Sequence, residues 1–170
     1  MASTSSFTGD PKQYPIEQFK EEITGSCNCG AITVIVKDNL WANPEKGHLC
    51  HCQNCRKTSG SFVTSNMAME KAKVEIRDEQ GKLKRYPDYN TGSGKKVERC
   101  FCGECGSAIM SDPELFPDLV MLKTGMFPRI PKPECESFVG HRQSWEEQSV
   151  LGSAPVLFDT VRGQAKFEGK

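Results

Sequence analysis

Apolar and β-branched residues occur in short runs broken by glycine, proline and charged clusters, a pattern that favours strands and turns over long helices. Ala31 to Val36 is the clearest strand: it is rich in β-branched residues and directly follows Cys29-Gly30. Asn39 to Gly47 contains Pro44 and reads as a loop, and Phe62 to Met69 predicts the next strand. Val74 to Arg77 and Lys82 to Tyr86 flank Asp78-Glu79-Gln80-Gly81, which predicts a hairpin connection. Asn90-Thr-Gly-Ser-Gly94 predicts a turn. Strands follow at Lys96 to Phe101, Ser107 to Met110 and Leu119 to Lys123. Pro128, Pro131 and Pro133 then impose an extended crossing segment. Phe138 to Trp145 predicts a strand or short ordered segment with Trp145 as a core anchor, and Pro155 to Phe167 a tail with apolar anchors.

The elements fit one mainly β domain. At 170 residues the chain is long enough for one core and short for two. Residues 1–15 are expected to form a flexible leader and residues 16–170 the single domain, with Phe19 packing onto it. Lysines and arginines balance aspartates and glutamates at 22 each, so no global field attracts nucleic acid or an anionic membrane. No apolar run reaches transmembrane length, and Met1 to Lys12 lacks the core of a signal peptide.

The nine cysteines change the picture most. They form C-x-C at Cys27 and Cys29, then C-x-C-x-x-C at Cys50, Cys52 and Cys55 and again at Cys100, Cys102 and Cys105, with Cys135 apart. An odd count at such close spacing fits a reduced metalloprotein, hence the cytoplasm, with the nucleus as an additional location, better than a disulfide framework. Cys102-Gly-Glu-Cys105-Gly is half of a zinc knuckle, and Cys27-Asn-Cys29-Gly is the available second half. Those four thiolates predict a closed structural zinc site. Cys50, Cys52 and Cys55 would leave one position of a second zinc for water or substrate. An electron-rich three-thiolate zinc suits exchange of a soft thiolate better than generation of hydroxide, which points to a sulfur-containing substrate. The partition stays open at this level: Cys100 competes for the structural group, and Cys135, His48, His51 or His141 competes for the fourth position of the second.

Gly25-Ser-Cys-Asn-Cys-Gly-Ala31, Cys50-His-Cys-Gln-Asn-Cys-Arg-Lys57, Gly60-Ser-Phe62 and Phe101-Cys-Gly-Glu-Cys-Gly-Ser107 together resemble the family of glutathione-dependent formaldehyde-activating enzymes, which includes a centromere-associated protein. The resemblance implies a β-tent-like zinc-binding fold, akin to that of a small exchange-factor-like zinc protein. It assigns Cys27, Cys29, Cys102 and Cys105 to a structural zinc, and Cys50, Cys52 and Cys55 to a catalytic one. It implies glutathione as substrate or cosubstrate and S-hydroxymethylglutathione as the product of joining it to formaldehyde. The expected activity is the class, a zinc-dependent carbon–sulfur lyase acting on glutathione adducts. The rival is a non-catalytic, zinc-stabilised binding or scaffold protein with chromatin partners.

Around the second site, His51 is a candidate proton relay, with a role in fixing the cysteine turn as the alternative. Arg56 and Lys57 are candidates for the carboxylates of glutathione, Arg56 through its bidentate fork. Ser59 offers a hydroxyl to a peptide-like ligand, and His141 and Arg142 are candidates to close one side of the site. Thr91-Gly-Ser-Gly-Lys95 is not a phosphate loop, because Lys96 stands where Ser or Thr is needed, but it suits a loop over the pocket. No nucleic-acid or membrane partner is expected, and a homodimer is.

Overall fold

The computed structural model describes residues 9–42, 46–146 and 156–160. Within them the chain is mainly β. A three-stranded sheet is formed by β1 (Ile23–Ser26), β2 (Thr33–Val36) and β5 (Val74–Arg77) in the order β1-β2-β5. The remaining strands are β3 (Gly47–Cys50), β4 (Thr64–Glu70), β6 (Leu83–Asp88), β7 (Val97–Cys102), β8 (Ala108–Pro113), β9 (Leu119–Lys123), β10 (Cys135–Ser137) and β11 (Val156–Phe158). They build an eight-stranded sheet in the order β11-β10-β3-β4-β9-β8-β7-β6, antiparallel from β3 to β6 and parallel at β3, β10 and β11.

Strand alternation divides the large sheet into two unlike faces. Met67 and Met69 of β4, Val120 and Leu122 of β9 and Cys100 of β7 enter the core, where Ile23, Val34 and Val36 of the small sheet meet them. Their alternate neighbours Asn66, Ala68, Met121, Lys123, Val97 and Arg99 line a cavity on the opposite face. Cys100 is fully buried in the core, filling a strand position beside the cysteine turn. Ahead of β1, Phe19 is buried and stacks on Trp41 at 5.6 Å, and Arg129 donates to the Pro11 and Tyr14 carbonyls.

Two sequence expectations are corrected. Val74–Arg77 and Lys82 to Tyr86 do not form a hairpin: β5 pairs with β2 and β6 with β7. The turn between them exists, with the Asp78 carboxylate accepting from the Lys82 and Leu83 backbone N–H groups, but it carries the chain from one sheet to the other. Trp145 is no core anchor; it is 64% exposed and meets the exposed Phe62 edge-on at 5.2 Å. The segment from Gln53 is helical: α1 (Gln53–Ser59) starts at Cys52, whose sulfur caps the Cys55 N–H, and ends at Gly60 in the left-handed region at φ 65°. Most of the tail from Pro155 to Phe167 lies outside the described residues, apart from residues 156–160 with buried Phe158.

Candidate functional site

Two groups of cysteines converge. In the first, Cys27, Cys29, Cys102 and Cys105 have sulfurs within 4.8 Å of one another. Both halves are built alike. The Cys27 N–H bonds the Ile32 carbonyl and the Gly30 N–H the Cys27 carbonyl, while Cys102 and Gly106 repeat the pattern with Ser107 and Cys102. Gly30 and Gly106 adopt φ 76° and 74°, the left-handed turn that lets the chain curl around its sulfurs. The Cys27–Cys29 and Cys29–Cys102 sulfur separations are 3.5 and 3.7 Å. A tetrahedral zinc with bonds of about 2.3 Å sets its sulfurs roughly 3.8 Å apart. The donor set and its spacing therefore fit zinc. The Ser107 hydroxyl and backbone N–H hold the Cys105 thiol down to about 5, so a thiolate is available there near neutrality.

The second group is Cys50 at the end of β3, Cys52 at the cap of α1 and Cys55 one turn later, again with sulfurs within 4.8 Å. His48, His51, Cys135 and Cys100 do not join it. Cys135 pairs with His48, two residues before Cys50, and its thiol faces the Gly47 carbonyl. Cys50 and Cys55 are buried and Cys52 is half-exposed. The trio opens on a cavity of about 840 Å³.

Positive charge surrounds this trio. Lys123, buried in the sheet but lining the cavity, donates to the Asn66 side-chain oxygen at 2.7 Å. Arg99 donates to Asp88 through Nε at 3.1 Å and Nη2 at 2.9 Å, and its Nη1 approaches the Cys55 sulfur at 3.8 Å. Hydrogen bonds from Cys50 and Cys52 hold the Cys55 thiol well below its ordinary range, and the Lys123 and Arg99 charges add to that. Cys50 is pushed up by its bonds to Cys52 and Cys55 and by burial, so negative charge gathers on Cys55. Burial pushes the Lys123 pKa down, against the attraction of the Cys55 sulfur. Asn54 ties α1 to the opposite wall, donating to Asp88 at 2.8 Å and to the Asn90 carbonyl at 2.7 Å.

The loop Thr91-Gly92-Ser93 lines the cavity, as the sequence suggested. A Cβ at Gly92 would lie 2.8 Å from the Phe138 ring, so glycine permits this close approach. Phe138 itself has φ 56°, a strained position for an aromatic residue.

The other sequence-predicted residues lie apart from the cavity. His51 is buried between two carboxylates: its Nε2 is 2.8 Å from Glu136 and its Nδ1 3.5 Å from Glu146. Arg142 bonds the same Glu136 oxygen at 2.5 Å. Together they brace the cysteine turn against β10, where the His51 N–H also donates to the Ser137 carbonyl. Arg56 is half-buried and Lys57 exposed, and neither lines the cavity. Ser59 bonds Thr64 at 2.8 Å and faces a smaller cavity of about 570 Å³ beside Cys27. His141 is exposed, 5.4 Å from Phe138. Lys123, Arg99 and Asp88 belong to no motif; the signal available for Lys123 is a lysine ending the apolar run Leu119–Leu122.

A mainly β scaffold with two thiol groups suited to zinc, one of four donors and one of three facing a large cavity, defines the class of protein. The family model for glutathione-dependent formaldehyde-activating enzyme matches residues 22–141, well over half the chain, and the protein belongs to that family. No curated protein matches it. A crystal structure of a Rhodobacter sphaeroides protein is similar at 16% identity and a TM-score of 0.52, over 78% of this chain and 98% of that one; the likeness is one of fold.

Proposed function

We propose that this protein is a zinc-dependent carbon–sulfur lyase acting on glutathione adducts, in the manner of reversible S-hydroxymethylglutathione formation. Cys27, Cys29, Cys102 and Cys105 hold a structural zinc in this reading, and Cys50, Cys52 and Cys55 a second one. The observation that carries it is the three-donor group itself, which faces a cavity while the four-donor group is complete. Membership of the family supports glutathione and formaldehyde as the chemistry concerned.

A zinc bound to the trio supplies a site for a soft thiolate, or for oxygen charge, next to the reacting carbon. In the addition direction the glutathione sulfur forms a bond to the carbonyl carbon while the C=O π bond opens. The proton lost from sulfur ends on the new hydroxyl, so the sum is balanced without a further reactant. Lys123 and Arg99 stabilise negative charge on sulfur or oxygen from inside a low-dielectric wall. Asn66 and Asp88 hold those two cations in place. His51 acts as a positioning residue, fixing the turn that carries Cys50 and Cys52. A cytoplasmic or nuclear homodimer belongs to the same proposal; among the described residues no helix is long and apolar enough to cross a membrane.

Exchange spectroscopy of isotopically labelled formaldehyde with glutathione tests the reading. Zinc-loaded protein is expected to accelerate exchange between free and adduct carbon. Exchange at the uncatalysed rate refutes the lyase and favours the scaffold.

A further inference from the structure

The cavity is chemically graded along the strands that floor it. Beside the cysteine trio the floor is Asn66 and Lys123, which are direct cross-strand neighbours on β4 and β9. Two residues further along each strand come Ala68 and Met121, and Leu119 follows on β9. Pro113 and Val97 extend this far floor across β8 and β7, and Phe116 closes it from the β8–β9 loop. At roughly 3.3 Å per residue, Leu119 is about 13 Å from Lys123. The side chains of these six residues contain no hydrogen-bonding group; the charged side chains of Glu70, cross-strand from Leu119, and of Lys46 and Lys73 line the same cavity around this apolar patch.

A one-carbon hydroxymethyl group would occupy only the mouth of such a trough. Amides and carboxylates laid directly on Ala68, Met121 and Leu119 would be desolvated against apolar side chains, whereas an alkyl or aryl group is favoured there. The polar groups of glutathione match the Asn66, Lys123 and Arg99 end instead. Cavities holding drug-sized ligands measure about 300–1,000 Å³, and this one, at about 840 Å³, is near the upper end of that range.

We propose that the trough receives an apolar substituent on the carbon bonded to sulfur, so that the adducts handled derive from larger aliphatic or aromatic carbonyl compounds as well as from formaldehyde. This rests on the cysteine trio being the sulfur site. Carbon–sulfur cleavage then releases the apolar carbonyl compound as the sulfur leaves as thiol; its hydroxyl proton passes to sulfur, and no other reactant is consumed.

The test compares S-(1-hydroxyalkyl)glutathione adducts made from aldehydes of one to eight carbons, and measures binding of the S-alkylglutathiones of matching length by calorimetry. The expected result is a gain in kcat/KM and in affinity of about threefold to fourfold per methylene over the first several carbons. In Ala68→Phe, which fills the floor, the gradient should flatten beyond the shortest members; in Met121→Ala, which widens it, it should continue to longer ones. Metal content and melting temperature establish that both variants are folded. Turnover of the formaldehyde adduct with no dependence on chain length overturns the trough and leaves the lyase intact. No turnover of any adduct, with affinity still rising with length and falling in Ala68→Phe, supports the trough and removes the lyase. Affinity that is flat with length, or unaltered in Ala68→Phe, overturns the trough.

Discussion

Lys123 and Asn66 face each other as register partners on β9 and β4, and the buried ammonium donates to the amide oxygen at 2.7 Å. Their replacements should both lower stability, by different amounts. Lys123→Met removes a buried charge but leaves the buried Asn66 oxygen without its donor, which should cost about 1–2 kcal/mol. Asn66→Leu leaves the ammonium without its acceptor and should cost about 3 kcal/mol. Both should lower kcat/KM by about 100-fold or more, in line with loss of a preorganised charge. Denaturant titration and steady-state kinetics on the same samples check both halves.

The two cysteine groups should fail differently. Cys102 is fully buried and joins β7 to the turn after β1, so Cys102→Ser should abolish cooperative folding, because zinc ligation there is folding energy. Cys52 is half-exposed at the cavity, and Cys52→Ser should keep the circular dichroism of the native sheets while one metal per chain and turnover are lost. Equal loss of folding in both variants would indicate two structural sites.

His51 should act through the metal loop. Since Glu136 and Glu146 hold its ring away from the cavity, His51→Gln is expected to weaken metal retention at the second site by about 10- to 100-fold. The pH profile of the metal-saturated variant should keep its shape. A selective loss of one limb of that profile, with metal retained, would make His51 a proton relay.

Asp38 supplies a pH-dependent contribution away from the site. Its carboxyl is held below the usual range by the Lys46 ammonium, with Lys73 adding to the effect at 3.2 Å. A depressed folded-state pKa means stability that is present above the unfolded value of about 3.9 and lost as pH falls through the folded value. Asp38→Asn should therefore narrow the stability difference between pH 6 and pH 3 by about 1 kcal/mol or less, the scale of a partly solvated pair. Urea titrations of wild type and variant at both pH values measure the difference.

Much of this architecture was legible because its signals are local. Ala31 to Val36 announces β2 by branching at Cβ, and the paired glycines after Cys29 and Cys105 announce the knuckles. Cysteine spacing suggested the four-and-three grouping while leaving Cys100 and Cys135 in competition, and the family resemblance chose between them. What could not be read depends on distant strands. The turn at Asp78 has the same local chemistry whether its flanking strands pair together or separate into two sheets, and here they separate. Trp145 carries the apolar bulk of a core residue, yet it packs on Phe62 at the surface. Lys123 and Arg99 reach the cysteine trio only because β9 and β7 lie in the sheet next to β4 and β8, and single-sequence spacing contains no trace of that order. The helix at Gln53–Ser59 was hidden because its cap is a cysteine sulfur in place of the usual oxygen acceptor.

Zinc-edge X-ray absorption of the protein with and without glutathione tests the central claim most directly. The account predicts one zinc with four sulfurs and one with three sulfurs and a lighter ligand, the latter gaining a fourth sulfur when glutathione is added. Two four-sulfur sites before any thiol is offered, unchanged afterwards, would contradict it.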